Sequence, residues 1–361
     1  MAVKEKQSLS SCRKDRPHLT SPSLIAVMLV IATALPAFWL CRALMPLFLR
    51  YALARPNSRS SHAVPTPQGG GFAILCVAMG AAIICAMGLK IVWPPESLAV
   101  LIGMLVLMGI GGLDDIKPLP TIPRLITQIA VIGIIILSMP DTIRLLPEAV
   151  PLWAERLLAG LALLWFVNLV NFMDGIDWIT AAELLPVWVV VLVVSLWADE
   201  TALVVLAAIL IGSYLGFVPF NRPVAKLFLG DVGSLPLGLV TGWLLYRIGA
   251  KHGLVSALLP PLYYLADATI TMMRRALRGE KIWEAHRTHF YQQATTKGLT
   301  VLQIVARILI TNLVLAGLAL AAHGQSLSIA LALLVTGALC VAALIREMQR
   351  DRRAPQDPIN R

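Results

Sequence analysis

Apolar runs of bilayer-spanning length follow one another along almost the whole chain, and this constrains the fold more than any other feature of the sequence. The runs are Ser23–Phe48, Gly71–Leu89, Leu98–Leu113, Leu125–Met139, Leu157–Val170, Ile179–Trp197, Leu203–Phe217, Leu235–Tyr246, Leu254–Met273, Val301–Ala322 and Leu327–Ile345. A helix needs roughly 20 mostly apolar residues to cross the hydrocarbon layer, and several shorter runs borrow flanking polar residues to reach that length. Backbone in lipid must satisfy its own hydrogen bonds, so such runs become helices. The expected fold is therefore all-α: a polytopic integral membrane protein of about eleven transmembrane helices. One transmembrane domain spans 23–345, between a polar N-terminal tail (1–22) and a basic C-terminal tail (346–361). Of the 361 residues, 58% are hydrophobic and 14% charged, whereas a soluble domain averages about 25% charged. The first run is too long for the core of a cleavable signal peptide and reads as a true span. Cys12, Cys41, Cys76, Cys85 and Cys340 form no C-x-x-C pair, and the last four sit inside apolar runs. They read as reduced packing residues rather than a disulfide or zinc framework.

The net charge of +10 is scattered between the runs instead of gathered into a basic domain, which argues against nucleic acid as a partner. Loops numbered in order divide sharply. Odd loops and the C-terminal tail hold 18 Lys and Arg, while even loops and the N-terminal tail hold 10. The positive-inside rule places the odd loops in the cytoplasm, beside anionic lipid. The N-terminal tail, with Lys4, Lys6, Arg13, Lys14 and Arg16, runs against this assignment.

The odd loops also carry the polar clusters. Loop one holds Pro56–Gly71, PNSRSSHAVPTPQGGG. Loop three holds Asp114, Asp115 and Lys117, and loop five holds Asn168, Asn171, Asp174 and Asp177. Loop seven holds Asn221 and then FLGDVGS, Phe228–Ser234, with Asp231 at its centre. Loop nine holds Arg274, Arg275, His286 and His289. Each cluster has an ordinary reading: an acidic pair as a solvated helix end, Asp231 as a turn, the arginines as a topology anchor, the histidines as solvated. Their convergence on one membrane face weakens those readings together. Asn168, Asn171 and Asp174, spaced by three, fall roughly along one helix face. Five carboxylates on one face repel unless cations intervene, and oxygen ligands select a hard cation such as Mg²⁺, with Mn²⁺ as a substitute. Carboxylates, a divalent cation and basic groups suit phosphoryl transfer.

With these motifs in hand, the sequence from about Arg50 to Ala294 resembles the polyprenyl-phosphate N-acetylhexosamine-1-phosphate transferases, glycosyltransferase family 4. The resemblance rests on PNSRSSHAVPTPQGGG, GLDDIKPLP (112–120), NLVNFMDGID (168–177), FLGDVGS and HRTHFYQQA (286–294). It implies a HexNAc-1-phosphate passing from a UDP-N-acetylhexosamine to undecaprenyl phosphate with release of UMP, on the cytoplasmic face of a bacterial inner membrane. The pathway implied is O-antigen or related surface polysaccharide synthesis. It implies Mg²⁺ at Asp231 and Asn171, and a catalytic set of Asp114, Asp115, Lys117, Asp174 and His289, with Asp114 the deprotonating acid. It also implies substrate contacts from Asn168, Asp177, Asn221, Phe228, Arg275 and His286, Phe228 gripping the uridine. Membrane lipid is a partner, and a homodimer is compatible with the sequence. Three positions depart from the family: Trp178 where Gly is usual, Ala54 where an acid often stands, and an H-x-x-H spacing in place of contiguous histidines. The last favours the GlcNAc type over the phospho-MurNAc-pentapeptide transferase, which stays as the alternative. A transporter, the rival from another class, should carry midplane polar groups or repeated broken helices. Arg42 and Asp267 are the intramembrane charges, and both read as snorkelling or site-lining residues near cytoplasmic ends.

Overall fold

The computed structural model describes residues 22–54, 65–88, 91–281 and 286–352. The N-terminal tail to residue 21, the PNSRSSHAV stretch of loop one and the end of the C-terminal tail lie outside them. Among the described residues, eight helices are long and apolar enough to cross a membrane. They are α1 (Pro22–Tyr51), α2 (Gly70–Gly88), α3 (Ser97–Ile116), α4 (Thr121–Ser138), α5 (Leu152–Met173), α6 (Ile179–Trp197), α12 (Val301–Ala322) and α13 (Leu327–Met348). Between them come α7 (Thr201–Phe217), α8 (Asp231–His252), α9 (Leu254–Leu258), α10 (Leu262–Leu277) and α11 (Phe290–Thr296).

Three of the expected spans come out differently. The run at 203–217 is the 17-residue α7, about 26 Å long at the usual rise. The run at 235–246 belongs to the 22-residue α8, which adds Asp231 at one end and Arg247, Lys251 and His252 at the other. The run at 254–273 is no single helix. Pro260 and Pro261 withhold two backbone donors, so the chain breaks into α9 and the amphipathic α10. The all-α expectation also needs one amendment. Loop one forms a two-stranded antiparallel sheet, β1 (Leu53–Ala54) with β2 (Thr66–Pro67), pairing Leu53 with Pro67 and Ala54 with Thr66. A loop lying over a polar site must satisfy its own backbone, and this short ladder does so.

Helix α8 is the central strut. It packs against α2, α3, α5, α6 and α9, and nearly every residue from Val232 to Gly249 is buried. Glycine permits the closest approach: a Cβ on Gly71 of α2 would sit 2.0 Å from Gly233 Cα of α8. Helices α1 and α13 are peripheral and expose Leu, Ile, Val and Trp side chains outward, as helices solvated by lipid do. Cys41, Cys76, Cys85 and Cys340 are free thiols, as expected of packing residues.

The two ends of α8 differ in character. At the C-terminal end two ion pairs and a hydrogen-bonded arginine hold the charges. Arg247 Nη1 lies 3.0 Å from Glu96 Oε1, Arg144 Nε lies 2.8 Å from Glu155 Oε2, and Arg156 donates to Tyr246 Oη at 2.8 Å. The motif residues gather at the N-terminal end.

Candidate active site

Helix α8 starts at Asp231 because its first donors are satisfied from another helix. Asp115, at the end of α3, accepts from Asp231 N (2.9 Å) through Oδ1 and from Val232 N (3.0 Å) through Oδ2. A carboxylate there complements both the orphan amides and the positive end of the helix dipole. Gly230, at φ 77°, makes the preceding turn, and a Cβ on it would lie 2.4 Å from Asp115 Oδ2. Both oxygens of Asp115 are thus committed to backbone, and the F-x-G-D-x-G-S motif is the local chemistry of a helix start pressed onto an acid.

Asp231 then projects into a cluster of its own. Arg124, in the first turn of α4, bridges Asp114 and Asp231 through Nη1, the second contact being 3.1 Å. Asp114 Oδ1 also accepts from Leu119 N at 2.5 Å. Asn171 Nδ2 donates to Asp231 Oδ1 at 2.7 Å and lies 2.9 Å from Ser234 Oγ. Loop one closes over this end: Gly69 N and Gly70 N donate to Phe228 O, Gly71 N donates to Leu229 O, and Gln68 Nε2 donates to Asp115 O at 2.7 Å.

A cavity of about 640 Å³ opens beside the acids. Asn171, Asp174, Asp177, Asn221, Phe228 and Asp231 all line it, together with Ala54, Thr66, Gln68 and Gln292. Asp174 caps the end of α5 and accepts the Thr180 hydroxyl at 2.6 Å. Burial lifts its carboxyl to about 6, against the Thr180 hydrogen bond, with Asp177 adding to the rise. Burial also raises Asp177, offset by the Ala225 amide that its Oδ2 accepts at 3.0 Å. Both carboxyls therefore face the cavity in a setting that favours a bound cation or donor.

Trp178 sits at φ 63°, a left-handed conformation that glycine adopts freely and a bulky side chain does not. Two hydrogen bonds hold it there: its N–H donates to Asn221 Oδ1 at 2.8 Å, and its indole N–H donates to Val218 O at 2.8 Å. Asn221 Nδ2 in turn donates to Leu227 O at 3.1 Å. The Asn221 amide thereby ties the 177–178 turn to the strand-like segment carrying Phe228, which explains how this chain holds a tryptophan in a backbone conformation that suits glycine.

The other candidates lie further out. Asn168, one turn before Asn171, donates to Gln128 Oε1 (2.6 Å) and Leu164 O (2.8 Å), linking α5 to α4. Lys117 is exposed at the end of α3. Arg275 is buried and holds the turn after α10, donating to Glu280 Oε2 at 2.8 Å and Lys281 O at 2.9 Å; the guanidinium lowers the Glu280 carboxyl. His286 stacks on His289 with ring centroids 4.8 Å apart. Burial, then His289 and Arg275, pushes His286 down to about 4. His289 is buried rather than solvated, and the segment docks on the end of α5 through Tyr291 Oη, which donates to Phe172 O at 3.3 Å.

Among the described residues no group of three or more His, Cys, Asp or Glu forms a metal cage. The geometry instead offers Asp231 and Asp114 facing one cation, the guanidinium of Arg124. That donor set suits a metal that binds through one or two carboxylates and completes its shell with water and substrate phosphate, as Mg²⁺ does. Asn171 presents its NH₂, not its oxygen, to Asp231, so here it orients the carboxylate.

Residues 97–249, from the start of α3 to near the end of α8, match the family model "Glycosyl transferase family 4". A Bacillus subtilis protein, "Probable undecaprenyl-phosphate N-acetylglucosaminyl 1-phosphate transferase", is 26% identical over 69% of this chain and 71% of its own length. The "Decaprenyl-phosphate N-acetylglucosaminephosphotransferase" of Mycobacterium tuberculosis is 31% identical over 52% of each chain, so the chain spans about half the length of that relative. The "Phospho-N-acetylmuramoyl-pentapeptide-transferase" of Streptococcus mutans is 29% identical over 59% of this chain and 73% of its own. The matched segment carries Asp114, Asn171, Asp177 and Asp231, the residues that build the cavity wall and acidic cluster, and over that segment the chain is similar to glycosyl transferase family 4.

Proposed function

We propose that this protein transfers a HexNAc-1-phosphate from a UDP-N-acetylhexosamine to undecaprenyl phosphate, releasing UMP, as the first membrane step of O-antigen or a related surface polysaccharide. The observation that carries this reading is the Asp114–Arg124–Asp231 cluster at the edge of the cavity, at the motif-bearing end of an apolar bundle. The names of the relatives support the reaction class, and both GlcNAc and MurNAc-pentapeptide types occur among them. The H-x-x-H spacing of His286 and His289 favours the GlcNAc type. The excess of Lys and Arg in the motif loops supports a cytoplasmic face of a bacterial inner membrane.

The residues divide the work as follows. Phe228 stacks on uracil, and Asp177 with the Asn221–Trp178 turn shapes that end of the cavity. Asp231, oriented by Asn171, would hold Mg²⁺, and Asp114 stands across the Arg124 guanidinium from it. When bound, Mg²⁺ neutralises charge on the donor's diphosphate. Asp114, on the Arg124 guanidinium, serves the acceptor: it takes the proton from the lipid phosphate, whose oxygen attacks the β-phosphorus directly. Asp115 acts through the fold by fixing Asp231 at the start of α8. His286, His289 and Arg275 serve the diphosphate or sugar side. The test is purified protein with Mg²⁺, undecaprenyl phosphate and a panel of UDP-N-acetylhexosamines, reading UMP. Release with one or more donors, dependent on Mg²⁺ and on lipid, is expected; no release with any donor overturns the reading.

A further inference from the structure

One fully buried charge in the motif-bearing half belongs to no motif. Asp267, in α10, is 0% exposed and accepts five hydrogen bonds. Oδ1 takes Thr271 Oγ1 at 3.2 Å, His289 Nδ1 at 3.1 Å and Phe290 N at 3.1 Å; Oδ2 takes Tyr263 Oη at 3.0 Å and Tyr291 N at 3.3 Å. Fully buried carboxylates are rare because desolvation is costly, and they persist where donors surround them. Here the donors come from two places. Tyr263 and Thr271 lie one turn to either side on α10. The other three belong to consecutive residues of the histidine segment, 289–291. A single carboxylate therefore folds that segment against α10.

The arrangement also fixes the imidazole. A carboxylate accepts only, so the His289 nitrogen facing it, Nδ1, carries the proton. The ring faces are held as well, by His286 at 4.8 Å and Tyr291 at 5.7 Å. Nε2 is the ring atom left to act elsewhere. Tyr291, on the same carboxylate, brings the segment to residues 172–175: a Cβ on Gly175 would meet its hydroxyl at 2.1 Å. Asp174 lines the cavity from that turn, and Gln292 lines it from the segment.

We propose that Asp267 is the positioning residue of the histidine segment, holding the Nδ1–H of His289 so that, in the imidazolium form, its Nε2–H donates to a phosphate oxygen of the donor. The inference deepens the proposed function and rests on it for the identity of that phosphate. The pairing of Asp267 with His289 stands on geometry alone.

Two measurements on the full-length protein separate these layers. In ¹⁵N-histidine-labelled protein, NMR should show the His289 proton on Nδ1, slow to exchange in wild type and fast in Asp267→Asn. A bare Nδ1 in wild type overturns the proposal whether or not the protein is a transferase. The second is a double-mutant cycle on UMP release. Asp267→Asn should lower kcat by about 10- to 100-fold, the usual effect of losing a partner that orients a histidine, with UMP affinity within about twofold of wild type. On a His289→Ala background the same substitution should cost less than about threefold, because the residue it positions is gone. Losses that multiply, or UMP affinity falling in step with kcat, would make Asp267 a general support of the fold and overturn the proposal. Asp267→Glu keeps the charge one methylene further out. It is the second variant, read by the same cycle and the same spectrum, where the amide variant does not fold.

Discussion

Gly71→Ala should disable the protein from a position that touches no substrate. The added Cβ would lie 2.0 Å from Gly233 Cα, 2.4 Å from Gly233 N and 3.1 Å from Leu229 O. All three are backbone atoms, so no side chain can swing aside. Ordinary contact starts at 3.4 Å, so α2 and the start of α8 must separate by about 1.4 Å, the difference between 3.4 and 2.0. Overpacking of this kind costs about 1–3 kcal/mol. The strain falls where Gly69, Gly70 and Gly71 hold the 228–229 backbone, two residues from Asp231. A shift of about 1 Å at a reacting group can cost about 100-fold in rate. Gly80→Ala is the control on the same helix, since nothing lies within 4 Å of its added Cβ. Thermal unfolding in detergent and UMP release should both fall in Gly71→Ala and hold in Gly80→Ala. Equal melting and turnover in the two variants would refute the claim that α2 and α8 touch through glycine.

Phe228→Ala should weaken UMP and UDP-sugar binding together, several-fold for a lost stack of about 1 kcal/mol; unchanged UMP affinity in calorimetry would make Phe228 a packing residue. Asp231→Asn should abolish turnover and the Mg²⁺-dependent part of UDP-sugar binding, whereas Asp114→Asn should abolish turnover and leave that binding largely intact; equal loss of binding in both would merge the two acids into one metal cluster. Asp174 titrates near 6 in the fold against 3.8 for the free group, so between those values the native state binds a proton that the unfolded chain has released. Its contribution to stability therefore falls as pH rises and is fully lost above about 6. Asp174→Asn, still able to accept from Thr180, should gain in melting temperature on wild type as pH rises from about 4 to 6, measured without Mg²⁺; a constant difference across that range would contradict the burial.

Much of the site was legible because its chemistry is local in sequence. FLGDVGS and the acids of loops three and five can be read as neighbours once the runs between them are taken as spans, and Asp231, Asn171, Asp174 and Asp177 do meet at one cavity. What stayed hidden depends on contacts between distant segments. Asp115 reads as half of an acidic pair, yet both its oxygens cap a helix that begins 116 residues later. Arg124 registers only as a topology charge until the first turn of α4 carries it between Asp114 and Asp231. Asp267 reads as a snorkelling or site-lining charge until α10, starting after Pro260 and Pro261, is seen to bury it completely. The two prolines stand inside the apolar run 254–273, whose apolar flanks read as one span. The glycine run of loop one gave a weak signal for the same reason: its purpose, contact with Gly233, is tertiary.

The central claim is that the sugar leaves its nucleotide with one phosphate attached. UDP-GlcNAc labelled with ³²P at the β-phosphorus, incubated with the protein, Mg²⁺ and undecaprenyl phosphate, reports this directly. The account predicts label in the lipid fraction, mole for mole with UMP, and none of either in Asp231→Asn. Label recovered as UDP, with sugar alone on the lipid, or as water-soluble sugar phosphate formed without lipid, would contradict it.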